Sequence, residues 1–232
     1  MVRLKLLWAL VPFIANLALA ATDYPPGKRG LGSNDGLDLS GFERTPSLSG
    51  GPSKVLWQYN WDSDIAGHSK LSLAEYVPML HSLRDGHDAV WAERVERWLA
   101  RGTRHLLAFN EPDLAWPQAA MSVGDAVDAW RRHMEPFAPR RLRPGTLIQP
   151  GRAGARPEGL GRSGVHPGLA GFKGVNGSPE EDIAFLQKAM AFLEGNACVE
   201  RYAYFGTANN DQSLLSSEAS HLSELGMHYA AD

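Results

Sequence analysis

Short apolar runs alternate with amphipathic stretches along the chain. The run Leu106-Leu107-Ala108-Phe109 ends abruptly in Asn110-Glu111-Pro112-Asp113. Its length and bounding predict a buried strand. Pro112 has no N–H to donate and stops it. Lys28 to Asn34 predicts a short first strand ending in a polar turn, and Lys54 to Asp62 a second, aromatic one. Tyr76 to Leu80 reads as a third strand, with Pro78 an irregularity, and Glu200 to Gly206 as the last. Between them, Asp88 to Arg101 places Val90, Trp91, Val95, Trp98 and Leu99 on one helical face, and Gly102 stops it. Ser122 caps a helix running to about Ala138, with Val123, Val127, Trp130 and Met134 inward. Ser178-Pro179-Glu180-Glu181 is a helix start with Ser at N-cap, Pro at N1 and Glu at N3. Ile183, Leu186, Met190 and Leu193 keep its period, and Gly195 ends it. Leu214 to Tyr229 predicts a closing helix. Strands alternating with helices imply parallel βα units, an α/β fold.

One segment breaks the pattern. From Arg140 to Gly177 the chain is rich in Arg, Gly and Pro and has no sustained period of two or 3.6. Leu147-Ile148 is the only trace of a strand in it. Such a stretch is improbable inside a compact domain. It predicts an irregular or disordered segment at 140–176: an insert, a loop ordered by a partner, or an altered reading of the gene.

The start of the chain is a separate matter. Arg3 and Lys5 precede a mostly apolar run from Leu6 to Leu17 and the small-x-small site Ala18-Leu19-Ala20. Residues 1–20 therefore read as a secretory signal peptide, too short for a comfortable membrane span. Residues 21–232 form the domain, expected to be secreted, extracellular or associated with a cell wall. The formal net charge of -3 over 232 residues offers no reason to expect nucleic acid or an anionic membrane as partner. The single cysteine, Cys198, excludes an internal disulfide and reads as a small buried residue. His68 and His81 have no neighbours at ligand spacing, so neither metal nor cofactor is expected.

The candidate chemistry gathers at Glu111. It sits at the C-terminal end of its strand, where an α/β barrel keeps its active site. Trp57, Tyr59 and Trp61 alternate and share one face of the second strand. Tyr59 and Trp61 lie nearest the strand's C-terminal end, and Tyr204 and Phe205 stand near the end of the last strand. Each aromatic ring could pack in the core or stack on a sugar ring.

Five stretches carry a resemblance: Lys28 to Asn34, Trp57 to Trp61, Val77 to Leu80, Leu107 to Asp113 and Arg201 to Phe205. In this order they resemble glycoside hydrolase family 128, the alkali-sensitive-linkage-like fungal hydrolases. The resemblance covers about 28–138 and about 176–230. It implies a (β/α)8 TIM-type barrel that cleaves β-1,3-glucan with retention, acting as a monomer on a polysaccharide or oligosaccharide. It maps the acid/base role onto Glu111. By their own placement, Asn110, which could hold a sugar 2-hydroxyl, and Trp57, Tyr59, Trp61 and Tyr204 are the expected substrate contacts.

Retaining hydrolysis also needs a second carboxyl about 5–5.5 Å from the first. The family carries it as a glutamate after the seventh strand, and Gly171-Phe172-Lys173-Gly174-Val175-Asn176-Gly177 stands in that place. The His-Trp-Tyr-type motif of the sixth strand is absent as well. Asp113 is too close in sequence to face Glu111 across a sugar, Glu158 lies in the unpatterned segment, and Glu200 falls at the barrel's N-terminal face. Asp62, after the second strand, is the remaining substitute. The expectation is an incomplete barrel, strands six and seven unrecognisable, with two open edges. Three functional readings follow: a β-1,3-glucan hydrolase lacking its nucleophile, a non-catalytic glucan-binding protein, or an inactive product of a misread gene.

Overall fold

The structure, a computed structural model, describes residues 24–43, 52–65, 70–140, 143–148, 169–172, 177–197, 199–208, 213–217 and 221–232. The expected signal peptide, His68, Glu158 and Cys198 lie outside these residues. Eight strands are all paired in parallel: β1 Arg29–Ser33, β2 Trp57–Tyr59, β3 Glu75–Tyr76, β4 Met79–Leu80, β5 His105–Ala108, β6 Arg143–Ile148, β7 Leu169–Phe172 and β8 Arg201–Thr207. Helices α1 His87–Leu99, α2 Val123–His133, α3 Pro179–Gly195 and α4 Glu224–Ala231 lie between or after them.

The sheet order is β3-β2-β1-β8-β7-β6-β5-β4. Its two ends, β3 and β4, are halves of one pass of chain interrupted at Val77-Pro78. β3 pairs with β2 and β4 with β5, while Val77 N–H donates to Gln58 O and Pro78 O accepts from Leu107 N–H. Pro78 lacks a donor, yet its carbonyl still serves the neighbouring strand. Among the described residues the sheet therefore closes on itself in seven passes, one fewer than the full eightfold barrel. The incomplete barrel is as expected. The two open edges are not, because closure leaves no free edge among the described strands.

Part of the segment 140–176 is also a correction. It supplies β6 and β7, which bridge β5 to β8. Ladder pairing is backbone chemistry, so a strand can form between two waiting edges without an alternating side-chain pattern. The closing helix is shorter than expected. Ser223 Oγ caps α4 by accepting from Gly226 N–H, while Leu214 and Leu215 are buried ahead of it. Leu215 makes an antiparallel bridge to Leu222, so the apolar pattern there is that of a packed loop.

Alternation divides the side chains. Leu31, Tyr202 and Tyr204 pack outward against α3 and α4, through Leu186, Met190, Leu225 and Tyr229. Leu106 and Ala108 pack outward on Trp91 and Val95 of α1 and Ala129 and Trp130 of α2. Trp57, Tyr59, Val77, Met79, Leu107 and Ala203 fill the lumen. β1 meets the two lumen rings with glycine. A Cβ on Gly30 would lie 2.1 Å from the Trp57 ring, and one on Gly32 2.8 Å from Tyr59 Oη. Close approach, rather than a turn, demands glycine at both positions.

The floor of the lumen is ionic. Glu75, His105 and Arg201 begin three different strands and share the inward phase of the residues above them. Arg201 Nη2 donates to Glu75 Oε2 at 2.6 Å, and the His105 Nδ1 lies 3.0 Å from Glu75 Oε1. The backbone N–H groups of Arg104 and His105 donate to the same Oε1 at 2.7 and 3.0 Å. Arg201 lies over the Trp57 ring, 5.5 Å from its centroid. Burial raises the Glu75 carboxyl, but the His105 hydrogen bond and the Arg201 charge win and lower it from 4.5 to about 2.

This floor is expected to hold the barrel together. Replacing Glu75 with Gln leaves Arg201 buried without its counter-charge and should cost about 3–5 kcal/mol in urea unfolding. Because the folded carboxyl lies below its unfolded value, its contribution is complete above about pH 4.5 and lost as pH falls toward about 2. E75Q should therefore flatten that acid limb; an unchanged limb would place the acid sensitivity elsewhere.

Candidate active site

Glu111 follows β5 directly past Phe109 and Asn110, on the C-terminal rim. Its backbone is strained, with φ 42, and Trp61 after β2 has φ 62. Both are non-glycine residues in the left-handed region, a conformation that costs about 1–3 kcal/mol and clusters at functional sites. Surrounding bonds impose it. Asn60 fixes the turn at Trp61: its Nδ2 donates to Asp35 Oδ1 at 3.0 Å and to Asp64 O at 2.8 Å. Its Oδ1 accepts from Tyr76 Oη at 2.7 Å and from Asp62 N–H at 3.1 Å. Around Glu111, Leu114 N–H donates to Glu111 O, and Ala119 N–H donates back to Asn110 O.

Tyr59 links these two rim residues. Its ring meets Trp61 edge-on, with centroids 5.0 Å apart. Its hydroxyl is fully buried and has no hydrogen-bond partner. Burial, and then the charge of Glu111, push that hydroxyl well above the ordinary tyrosine value, so it stays a neutral O–H donor. The Ser33 and Thr207 hydroxyls and Asn110 Oδ1 are likewise buried without a partner. Ser33 and Thr207 are register neighbours at the ends of β1 and β8. Four polar groups near strand C-termini are thus buried without a hydrogen-bond partner.

The structure thus brings together Glu111, Asn110, Tyr59 and Trp61. It does not bring two other expected contacts there. Trp57 is 0% exposed, donates from Nε1 to Lys28 O at 2.8 Å and supports the floor beneath Tyr59. Tyr204 faces the helix layer, tilted on Tyr229 at 5.9 Å, because Ala203 takes the lumen phase of β8. Asn110 is partly engaged as well, since its Nδ2 donates to Gln118 Oε1. Sequence reasoning missed Gln118, whose spacing from Asn110 carries no motif.

Two of the candidate second carboxyls, Asp62 and Glu200, are occupied elsewhere. Asp62 accepts from Arg94 Nη1 at 3.0 Å and from Ser63 N–H at 2.6 Å, which turns it toward α1. Glu200 lies at the barrel floor, 3.4 Å from His105 Nε2. His81 follows β4 and stacks on His87 at 5.3 Å; burial, then the neighbouring His87, lower its pKa. Among the described residues no group of three His, Cys, Asp or Glu is placed to hold a metal.

The glycosyl hydrolase catalytic core model matches residues 36–159 and 171–229. The chain is also similar to solved structures. One is a subgroup III curdlan-specific exo-β-1,3-glucanase of family 128 from Blastomyces gilchristii, 29% identical, with TM-score 0.68 over 89% of this chain and 99% of that one. Another is a subgroup I endo-β-1,3-glucanase from Amycolatopsis mediterranei in complex with laminarihexaose, 26% identical, with TM-score 0.57 over 87% and 98%. The chain belongs to glycoside hydrolase family 128. A subgroup II endo-β-1,3-glucanase from Sorangium cellulosum, 20% identical with TM-score 0.62 over 87% and 97%, shares the fold. Among curated proteins, none matches the chain by sequence. The C-terminal rim carrying Glu111 is thus the rim of a family 128 barrel.

The orphaned Tyr59 hydroxyl gives a direct test of whether this rim is built for a ligand. Tyr59→Phe removes a buried, unpaired O–H and should raise stability by about 1 kcal/mol in denaturant unfolding. A loss of stability would show that the hydroxyl serves the fold instead.

Proposed function

We propose that this protein is a secreted family 128 barrel that takes β-1,3-glucan at its C-terminal rim, with Glu111 as the acid/base carboxyl. The observation that supports the reading is Glu111 at a strained strand end, its charge felt by the buried Tyr59 hydroxyl, whose ring in turn meets Trp61. Trp61 supplies a stacking face. Tyr59 and Asn110 supply a donor and an acceptor for sugar hydroxyls. Secretion rests on the pattern of residues 1–20.

The chemistry of this chain is half of a retaining mechanism. Glu111 can protonate the leaving glycosidic oxygen and later take a proton from water. The nucleophilic half lacks its expected carboxylate, since Leu169 to Gly177 contains none. That absence favours binding over turnover, because loss of a nucleophile removes orders of magnitude in rate.

Two measurements test this. Purified protein should bind laminari-oligosaccharides while releasing reducing sugar at least ~10³-fold more slowly than a paired site would. Brisk hydrolysis would overturn the nucleophile assignment, and failure of a folded protein to bind would overturn the glucan reading. Added azide should raise the rate: it bonds to the anomeric carbon as the glycosidic C–O bond breaks and Glu111 protonates the departing oxygen. Glu111→Gln should abolish that rescue. Rescue that survives the substitution would remove Glu111 from the acid role.

A further inference from the structure

The rim carries one aromatic side chain that neither the core nor the Glu111 cluster uses. Trp116 is 72% exposed, the most exposed large hydrophobic residue among those described. A lone exposed apolar side chain needs no explanation by itself. Trp116 differs because of how its loop is held.

The loop leaves the strand end at Asn110 and returns to it at Ala119, whose N–H donates to Asn110 O at 2.9 Å. Trp116 sits on the crown of the turn Ala115 to Gln118, closed by Gln118 N–H donating to Ala115 O at 3.1 Å. The base of that turn is pinned twice. Gln118 Oε1 accepts from Asn110 Nδ2, and Gln118 O accepts from Arg84 Nη2. Met121 N–H donates to Pro112 O at 2.7 Å and closes the far side. An indole is thereby held up in solvent by a braced loop whose anchor is the residue preceding Glu111. Bracing an exposed apolar ring does nothing for the core. It does prepare a flat surface whose ordering entropy is already spent before a ligand arrives.

We propose that Trp116 is an outer stacking subsite for the glucan chain, beyond the sugar held at Trp61 and Glu111. The inference rests on the glucan reading above and adds the direction in which the chain leaves the cleft. The apolar C–H face of a β-glucopyranosyl unit matches an exposed indole, and the loop carries no charged side chain between Leu114 and Met121 to favour a polar partner instead. A chain long enough to span both rings would gain from Trp116, and a short one would not.

The test titrates the full chain and Trp116→Ala with laminaribiose and laminarihexaose, by calorimetry. The substitution should weaken laminarihexaose about tenfold, the size of one well-placed aromatic contact, and leave laminaribiose unchanged. Trp116→Phe should recover part of the loss, and the unfolding midpoint of each variant should match the parent. Equal hexaose affinity in parent and Trp116→Ala overturns the subsite while leaving the glucan reading standing. A folded parent that binds neither sugar overturns both. An equal loss for both sugars also overturns it, since Trp116 would then act at the Glu111 site itself.

Discussion

The pairing of Glu75 with Arg201 across the floor of the lumen is the constraint on which the rest of the barrel is built. Glu75 opens the one pass of chain that closes the sheet, bonding to β2 through its first half and to β5 through its second. A register slip there would open the barrel and turn lumen residues outward. The pair prevents the slip at a cost, because both charges leave water. The cost is offset by completeness: Glu75 accepts from a guanidinium, the ring of His105 and two backbone N–H groups. Arg201 in turn rests on Trp57, and Trp57 fits only because β1 offers Gly30. Floor, ring and glycine form one stack, and Tyr59 stands on it, stacked on Trp57 at 5.8 Å.

The same barrel saturates its buried carboxylate at one end and leaves several polar side chains unmet at the other. At the floor Glu75 is saturated by its partners. At the rim Ser33, Tyr59, Asn110 and Thr207 bury polar atoms with no partner, and Trp61 and Glu111 hold left-handed backbones. Such groups lower stability, so a fold keeps them where something else gains. The Asn60 network shows how they are held: four bonds from one amide impose the turn that presents Trp61. The strain at the rim is sustained by bonds one shell behind it.

What was legible in the sequence follows the same division. Strands and helices with a clean period were visible, and so was the capping box of α3, since local pattern alone specifies them. Glu111 was visible through its place at a strand end. The phase of the last strand was not. Tyr204 and Ala203 alternate, and nothing in Arg201 to Phe205 says which faces the lumen until Arg201 is seen to face Glu75. Trp57 carried the correct phase but the wrong depth, because depth depends on where neighbouring strands start. β6 and β7 were illegible for another reason: their pairing is specified by the edges of β5 and β8, not by their own side chains. Apolar Leu214 and Leu215 suggested helix because a short buried loop and a helical turn bury the same residue types.

On the proposed reading, binding and chemistry separate in this barrel according to which strands supply each. The rim groups come from β2 with its loop, from β5 and from the loop after it, the first held by Asn60 and the last by the pairing of Asn110 with Gln118. None of those ties passes through β7. The reaction, by contrast, needs carboxyls on two strands placed opposite one another, and β7 ends in a stretch without one. On that reading a change confined to the β6–β7 region would remove turnover while leaving the aromatic and polar rim in place, because closure through β3 and β4 holds that rim from the opposite side of the barrel.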